Sequence, residues 1–197
     1  RPLLHIMRQK IKIPTKLSEV TIEKYQAYQR IPDEATGKTR YEAVLKAVAN
    51  NVPDNLDHVP FRSLKDAAFK CEKVMYQEIG EMQHLIELEG KMYGINPNLS
   101  ECTAIEYAEL MDLSAEGDDQ LHNIMQVLYR PALKLGKKGD YEVEPYTYDK
   151  KRADLFQAQM TMDIVFPVYI FFSNILLTYN AETAKCSSRK EESSSTR

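Results

Sequence analysis

Apolar residues recur three and four positions apart in one segment after another of this 197-residue chain. An α-helix needs that period to turn one face inward, and no other feature of the sequence constrains the fold as much. The clearest case is Phe61 to Ile79, where Phe61, Leu64, Ala68, Cys71, Met75 and Ile79 share a side. Shorter stripes obey the same rule: Ile22 with Tyr25, Val44 with Leu45 and Val48, Ile105 with Leu110 and Leu113, Leu121 with Ile124, Met125 and Leu128. Ser18 or Thr21, and Ser100 or Thr103, stand where helix N-caps are needed. A helix from about Lys150 to Gln159 precedes a final one, Met162 to Tyr179, whose face carries Ile164, Val168, Phe171, Phe172 and Ile175. Phe171 is therefore expected in the core. Leu85 to Leu88 reads as continued helix, followed by a short extended piece at Met92 to Ile95.

The period breaks most plainly in "VLYRPALKLGKKGDYEVEPYTYD", Val127 to Asp149. Pro131 ends the preceding helix, because the residue before a proline is pushed out of the helical region. Gly136 and Gly139 supply a turn, and Tyr141 to Tyr146 has a strand pattern. Lys10 to Ile13 alternates as another short strand, closed by Pro14. The fold expected is mainly α: a single helical domain over 10–180 with a small β hairpin or strand element. Residues 1–9 are expected to be flexible. Residues 181–197, "AETAKCSSRKEESSSTR", have almost nothing to bury and are expected to form a disordered C-terminal tail.

Basic residues number 26 and acidic residues 29, a net charge of −3. That balance gives no general attraction to nucleic acid or to an anionic membrane. The most apolar run, Ile164 to Leu177, is shorter than the ~20 residues of a bilayer span and contains Pro167, Ser173 and Asn174. A buried helix is the expectation. Cys71, Cys102 and Cys186 are odd in number and widely spaced, which points to a reducing compartment and away from a disulfide framework or zinc knuckle. The first residue is Arg1, so a short preceding piece is expected to be missing.

Reactive constellations are sparse. Gly37-Lys38-Thr39 ends like a phosphate-binding loop, but Pro32, without an N–H, stands where the motif needs its first glycine. Glu81 with His84, and Asp119 with His122, have the i,i+3 spacing of dinuclear metal sites in helical bundles, yet the further inward carboxylates are missing. No catalytic, cofactor-binding or metal-binding residue is expected, and no cofactor. What remains is the tyrosine-rich junction. Tyr129, Arg130, Tyr141 and Tyr146 are candidates for a partner-binding surface. The competing reading is that they pin a helix–hairpin–helix junction from inside, with Arg130 forked onto a carboxylate or onto turn carbonyls.

Several short motifs carry a resemblance. They are the turn Ile95 to Leu99 (an Ile-Pro-Asn-Leu turn with Asn96 inserted), Glu106 to Leu110 (Glu-Tyr-x-x-Leu), Leu128 to Pro131 (Leu-Tyr-Arg-Pro), Tyr141 to Tyr146 (Tyr-x-x-Glu-Pro-Tyr) and Phe171 to Asn174 (Phe-Phe-x-Asn). Their order, from about Lys10 to Tyr179, resembles a family of small proteins encoded in the structural modules of tailed bacteriophages and similar to tail assembly chaperones. The resemblance implies a non-enzymatic morphogenesis protein that binds the tape-measure protein, located in the host cytoplasm or the virion, and compatible with a homo-oligomer. It implies no catalytic residue. The alternatives are a neck or connector component of the virion and, from another class, a metal-dependent enzyme of the helical-bundle type.

Overall fold

Helices form where the apolar period runs, and some of them are opened by a side-chain cap. The computed structural model describes residues 11–96, 102–136 and 140–175. In it Thr21 caps α1 (Ile22–Gln29), accepting from the N–H of Lys24 at 3.4 Å. Helix α2 (Gly37–Val48) buries Val44, Leu45 and Val48. Helix α3 (Phe61–Met75) lies against it and buries Leu64, Ala68, Cys71 and Val74. Thr103 opens α4 (Ala104–Ala115) with a complete capping box, its hydroxyl taking the Glu106 N–H while the Glu106 carboxylate takes the Thr103 N–H. Helix α5 (Leu121–Leu128) is buried along nearly its whole length. Asp149 caps α6 (Lys150–Gln159) through the N–H groups of Lys151 and Arg152. Helix α7 occupies residues 162–175.

The strands β1 (Leu85–Leu88), β2 (Lys91–Ile95), β3 (Tyr129–Leu135) and β4 (Tyr141–Val143) make one antiparallel sheet in that order. The expectation of a mainly α fold with a small β element therefore holds. A β-bulge between Ala132 and Lys134 bends β3, so its first half pairs with β2 and its second half with β4. The sheet meets the helices through Tyr93, whose ring stands edge-on to Phe156 of α6 at 5.1 Å between centroids. Two segments far apart in the sequence, 20–22 and 160–162, are tied together. The N–H of Ile22 donates to Met160 O and that of Met162 to Val20 O, and all four side chains are fully buried.

Several expectations are corrected. Leu85 to Leu88 is a strand, not helix, because Glu89 and Gly90 both take positive φ (50° and 73°) and form a two-residue hairpin turn onto β2. Helix α3 stops at Met75 instead of reaching Ile79. The N–H groups of Tyr76 and Gln77 turn back onto the carbonyls of Lys73 and Val74, a tightened last turn that closes the helix, and Ile79 is exposed. Phe171 is 41% exposed, because Met162, Val165, Val168 and Phe172 define the buried face of α7 and Phe171 lies beside it. The strand expected at Lys10 to Ile13 is reduced to one bridge between Lys12 and Asn50. Among the described residues no helix is long and apolar enough to cross a membrane. The segments 1–9 and 181–197, expected to be flexible and disordered, lie outside the described residues.

The position of Phe171 sets a small effect. Phe171→Ala is expected to change stability by less than about 1 kcal/mol, well short of a core truncation. The urea midpoint of the variant checks it.

Candidate functional site

The residues singled out in the sequence converge, but inward. Proline at position 131 turns the chain from α5 into β3 and drives Tyr129 and Arg130 into the core. Tyr129 is wholly buried, and its hydroxyl donates to the carbonyl of Gln83. Arg130 is 5% exposed, and its Nη1 lies 2.6 Å from Glu106 Oε1. The other oxygen of Glu106 accepts the Thr103 N–H at 2.6 Å, so one carboxylate both caps α4 and neutralises the buried guanidinium. Taking two charges out of water is tolerated only with such close pairing.

Tyr141 closes the curl of the sheet. Its hydroxyl is within hydrogen-bond distance of the carbonyls of Ile95 (2.7 Å) and His84 (2.9 Å), and its ring covers Gly94. A Cβ on Gly94 would lie 2.3 Å from that ring. Gly94→Ala is therefore expected to cost about 1–3 kcal/mol as an overpacked contact. The cost should shrink when Tyr141→Ser removes the ring, a coupling that thermal melts of the double-mutant cycle will show. Tyr146 is half-buried, and its hydroxyl makes no hydrogen bond among the described residues. Burial first, then the nearby Glu109 carboxylate, raises its pKa. Burial likewise raises those of Tyr129 and Tyr141.

The partner-binding role expected of Tyr129 and Arg130 is thus corrected by their burial: neither offers a surface. Tyr141 lays its ring over Gly94, and Tyr146 packs against the core. An exposed aromatic cluster that carries no signal in the sequence lies elsewhere. On the outer side of α2 and α3, Tyr41 touches both Phe61 and Phe69, at 5.7 and 5.9 Å between centroids. Phe61 is 56% and Phe69 49% exposed, and Lys65 Nζ stands 5.5 Å from the Phe69 ring centre. Phe61 had been placed on the buried stripe. Its spacing fits, but it sits at the margin of that stripe, where helical period alone does not decide the side.

A second buried polar cluster joins α1, α5 and α6. Gln26, fully buried, donates to the carbonyls of Asp118 and Asp119 and accepts from Gln157 at 2.7 Å. Its Nε2 is 3.3 Å from His122 Nδ1. Asp119 is held by Arg30 at 2.8 Å, so the Asp119–His122 pair is engaged with the chain itself. Glu81 and His84 are not on a helix at all, and their spacing loses its meaning. No group of three potential metal ligands occurs among the described residues. Lys38 of the Gly37-Lys38-Thr39 sequence pairs with Asp57 and with Glu42 of α2, and among the described residues no strand precedes it. Burial pushes the Cys71 thiol up to about 11, which keeps it protonated at neutral pH.

His122 gives a pH signature. Burial lowers its pKa, with Lys150 and Arg30 acting the same way and Asp154 and Asp119 opposing. The unfolded chain then takes up the proton first as pH falls. The contribution to stability is complete above the unfolded value of 6.5 and is lost as pH falls through the lowered folded value. Urea midpoints measured downward from pH about 8 should fall further for the wild type than for His122→Gln, starting near the ordinary histidine pKa.

No family model, no curated protein and no solved structure matches this chain.

Proposed function

We propose that this chain is a non-enzymatic morphogenesis protein of a tailed bacteriophage, a tail assembly chaperone that binds the tape-measure protein. One observation carries the reading: the motifs behind the resemblance are one another's partners. Glu106 of the Glu-Tyr-x-x-Leu motif pairs with Arg130 of Leu-Tyr-Arg-Pro. Tyr141 of Tyr-x-x-Glu-Pro-Tyr bonds the carbonyl of Ile95, which opens the turn motif. Separate short matches that interlock in space support a shared scaffold better than matches scattered over a surface. Motif residues used up in this way leave recognition to exposed side chains, and the aromatic ledge of Tyr41, Phe61 and Phe69 supplies an apolar surface for a protein partner.

The test is co-expression with the product of a neighbouring reading frame that encodes a very long coiled-coil protein. Retention of that protein on the tagged chain, together with absence of the chain from finished particles, is the expected result. A stoichiometric band in finished particles would favour a neck or connector component. Failure to retain the long protein would overturn the chaperone reading.

A further inference from the structure

The ledge on α2 and α3 is not only apolar. Helix α3 carries Arg62, Lys65, Lys70 and Lys73, all exposed, against Asp66 and Glu72. Glu72 is already taken by Arg40 at 3.0 Å. None of Arg62, Lys70 and Lys73 forms an ion pair among the described residues. At about 100° per residue, Phe69, Arg62 and Lys73 fall in one sector of the helix, with Phe61 and Lys65 on the side toward Tyr41. An aromatic stripe therefore runs beside a cationic one. The whole chain is acidic overall, which makes this concentration of unpaired positive charge a local feature.

We propose that the outward face of α3 docks an acidic amphipathic helix of a partner protein. Tyr41, Phe61 and Phe69 take its apolar side, and Arg62 and Lys73 take its carboxylates. The geometry matches helix-on-surface recognition, where apolar anchors give affinity and flanking charge sets orientation and partner choice. A second copy of this chain is disfavoured as the occupant of the same face, since a two-fold contact would bring the cationic stripes together. The proposal rests on the protein-binding reading above and names its surface.

The probes are three labelled synthetic peptides titrated into the full chain by fluorescence anisotropy. One is an amphipathic helix with leucine at i, i+3, i+4 and i+7 and glutamate elsewhere. The second replaces glutamate by lysine, and the third scrambles the acidic one. The acidic amphipathic peptide should bind about tenfold or more tightly than the other two, and Phe69→Ser should weaken it by a similar factor. Arg62→Glu/Lys73→Glu should shift the preference toward the lysine peptide. All three positions are exposed, so the variants should keep the wild-type thermal transition, which is recorded alongside.

Equal binding of all peptides, no binding, or an affinity untouched by the substitutions would overturn the proposal. So would a sedimentation result in which the chain self-associates and Phe69→Ser dissociates it. The two readings fail separately. If wild type and Phe69→Ser both retain the long coiled-coil protein, this surface is wrong and the chaperone reading stands. If neither chain retains it while the acidic peptide binds the wild type alone, the surface stands and the chaperone reading falls.

Discussion

Replacing Arg130 with alanine is expected to lower stability by about 3–5 kcal/mol, the range for stranding one member of a buried ion pair. Glu106 would be left 5% exposed with its counter-charge gone. Its remaining bond to the Thr103 N–H cannot neutralise a carboxylate inside the protein. The double change Glu106→Gln/Arg130→Met should cost less than Arg130→Ala alone. Glutamine keeps the oxygen that caps α4, methionine fills the volume of the guanidinium stem, and no charge is buried. Urea midpoints of the single and double variants decide it. A loss below about 1 kcal/mol for Arg130→Ala would show that water enters and solvates the carboxylate.

Phe156→Ala should be comparably severe, at about 3–5 kcal/mol for a large truncation in a filled core. Phe156 is fully buried and is the surface of α6 on which Tyr93 of the sheet rests. Its removal therefore loosens a joint as well as leaving a cavity. Hydrogen exchange of the β2 amides should accelerate more than that of α3, because Tyr93 of β2 packs directly on Phe156 while α3 packs chiefly on α2. Uniform acceleration across the molecule would mean that sheet and helices open only together.

The helical part of the fold was legible because buried faces repeat at a period that the chain displays. Leu64, Ala68 and Cys71 on α3 and Ile124, Met125 and Leu128 on α5 lie where the spacing puts them. The hairpin of β1 and β2 was hidden for a definite reason. Its turn uses Glu89 at positive φ where Asn or Gly is the usual signal, and the four residues before it suit helix as well as strand. Phe171 shows a further limit. In a helix as apolar as α7, three-and-four spacing selects more than one face, and only packing chooses between them.

The candidate site was half legible. Tyrosines and an arginine beside a proline marked the junction as special, and the structural role weighed against docking was visible in Pro131 and the glycine turn. The partner of Arg130 was not, since Glu106 lies 24 positions away and its capping role accounts for it without any arginine. The exposed ledge was missed because Phe69 was not on any stripe and so drew no attention. Surface aromatics carry no periodic signal of their own.

The pairing of Val20 and Ile22 with Met160 and Met162 bears on how the protein is made. Gln26, on the first helix, also reaches Gln157 across 131 positions. During synthesis from the N-terminus, α1 can pack on α2 early, but the rest of its interior face waits until α6 and α7 emerge. Long-range closure of this kind delays folding and leaves apolar surface open to other chains in the meantime. Until α7 emerges, a nascent chain of this design keeps the side chains of Val20 and Ile22 without the partners that bury them.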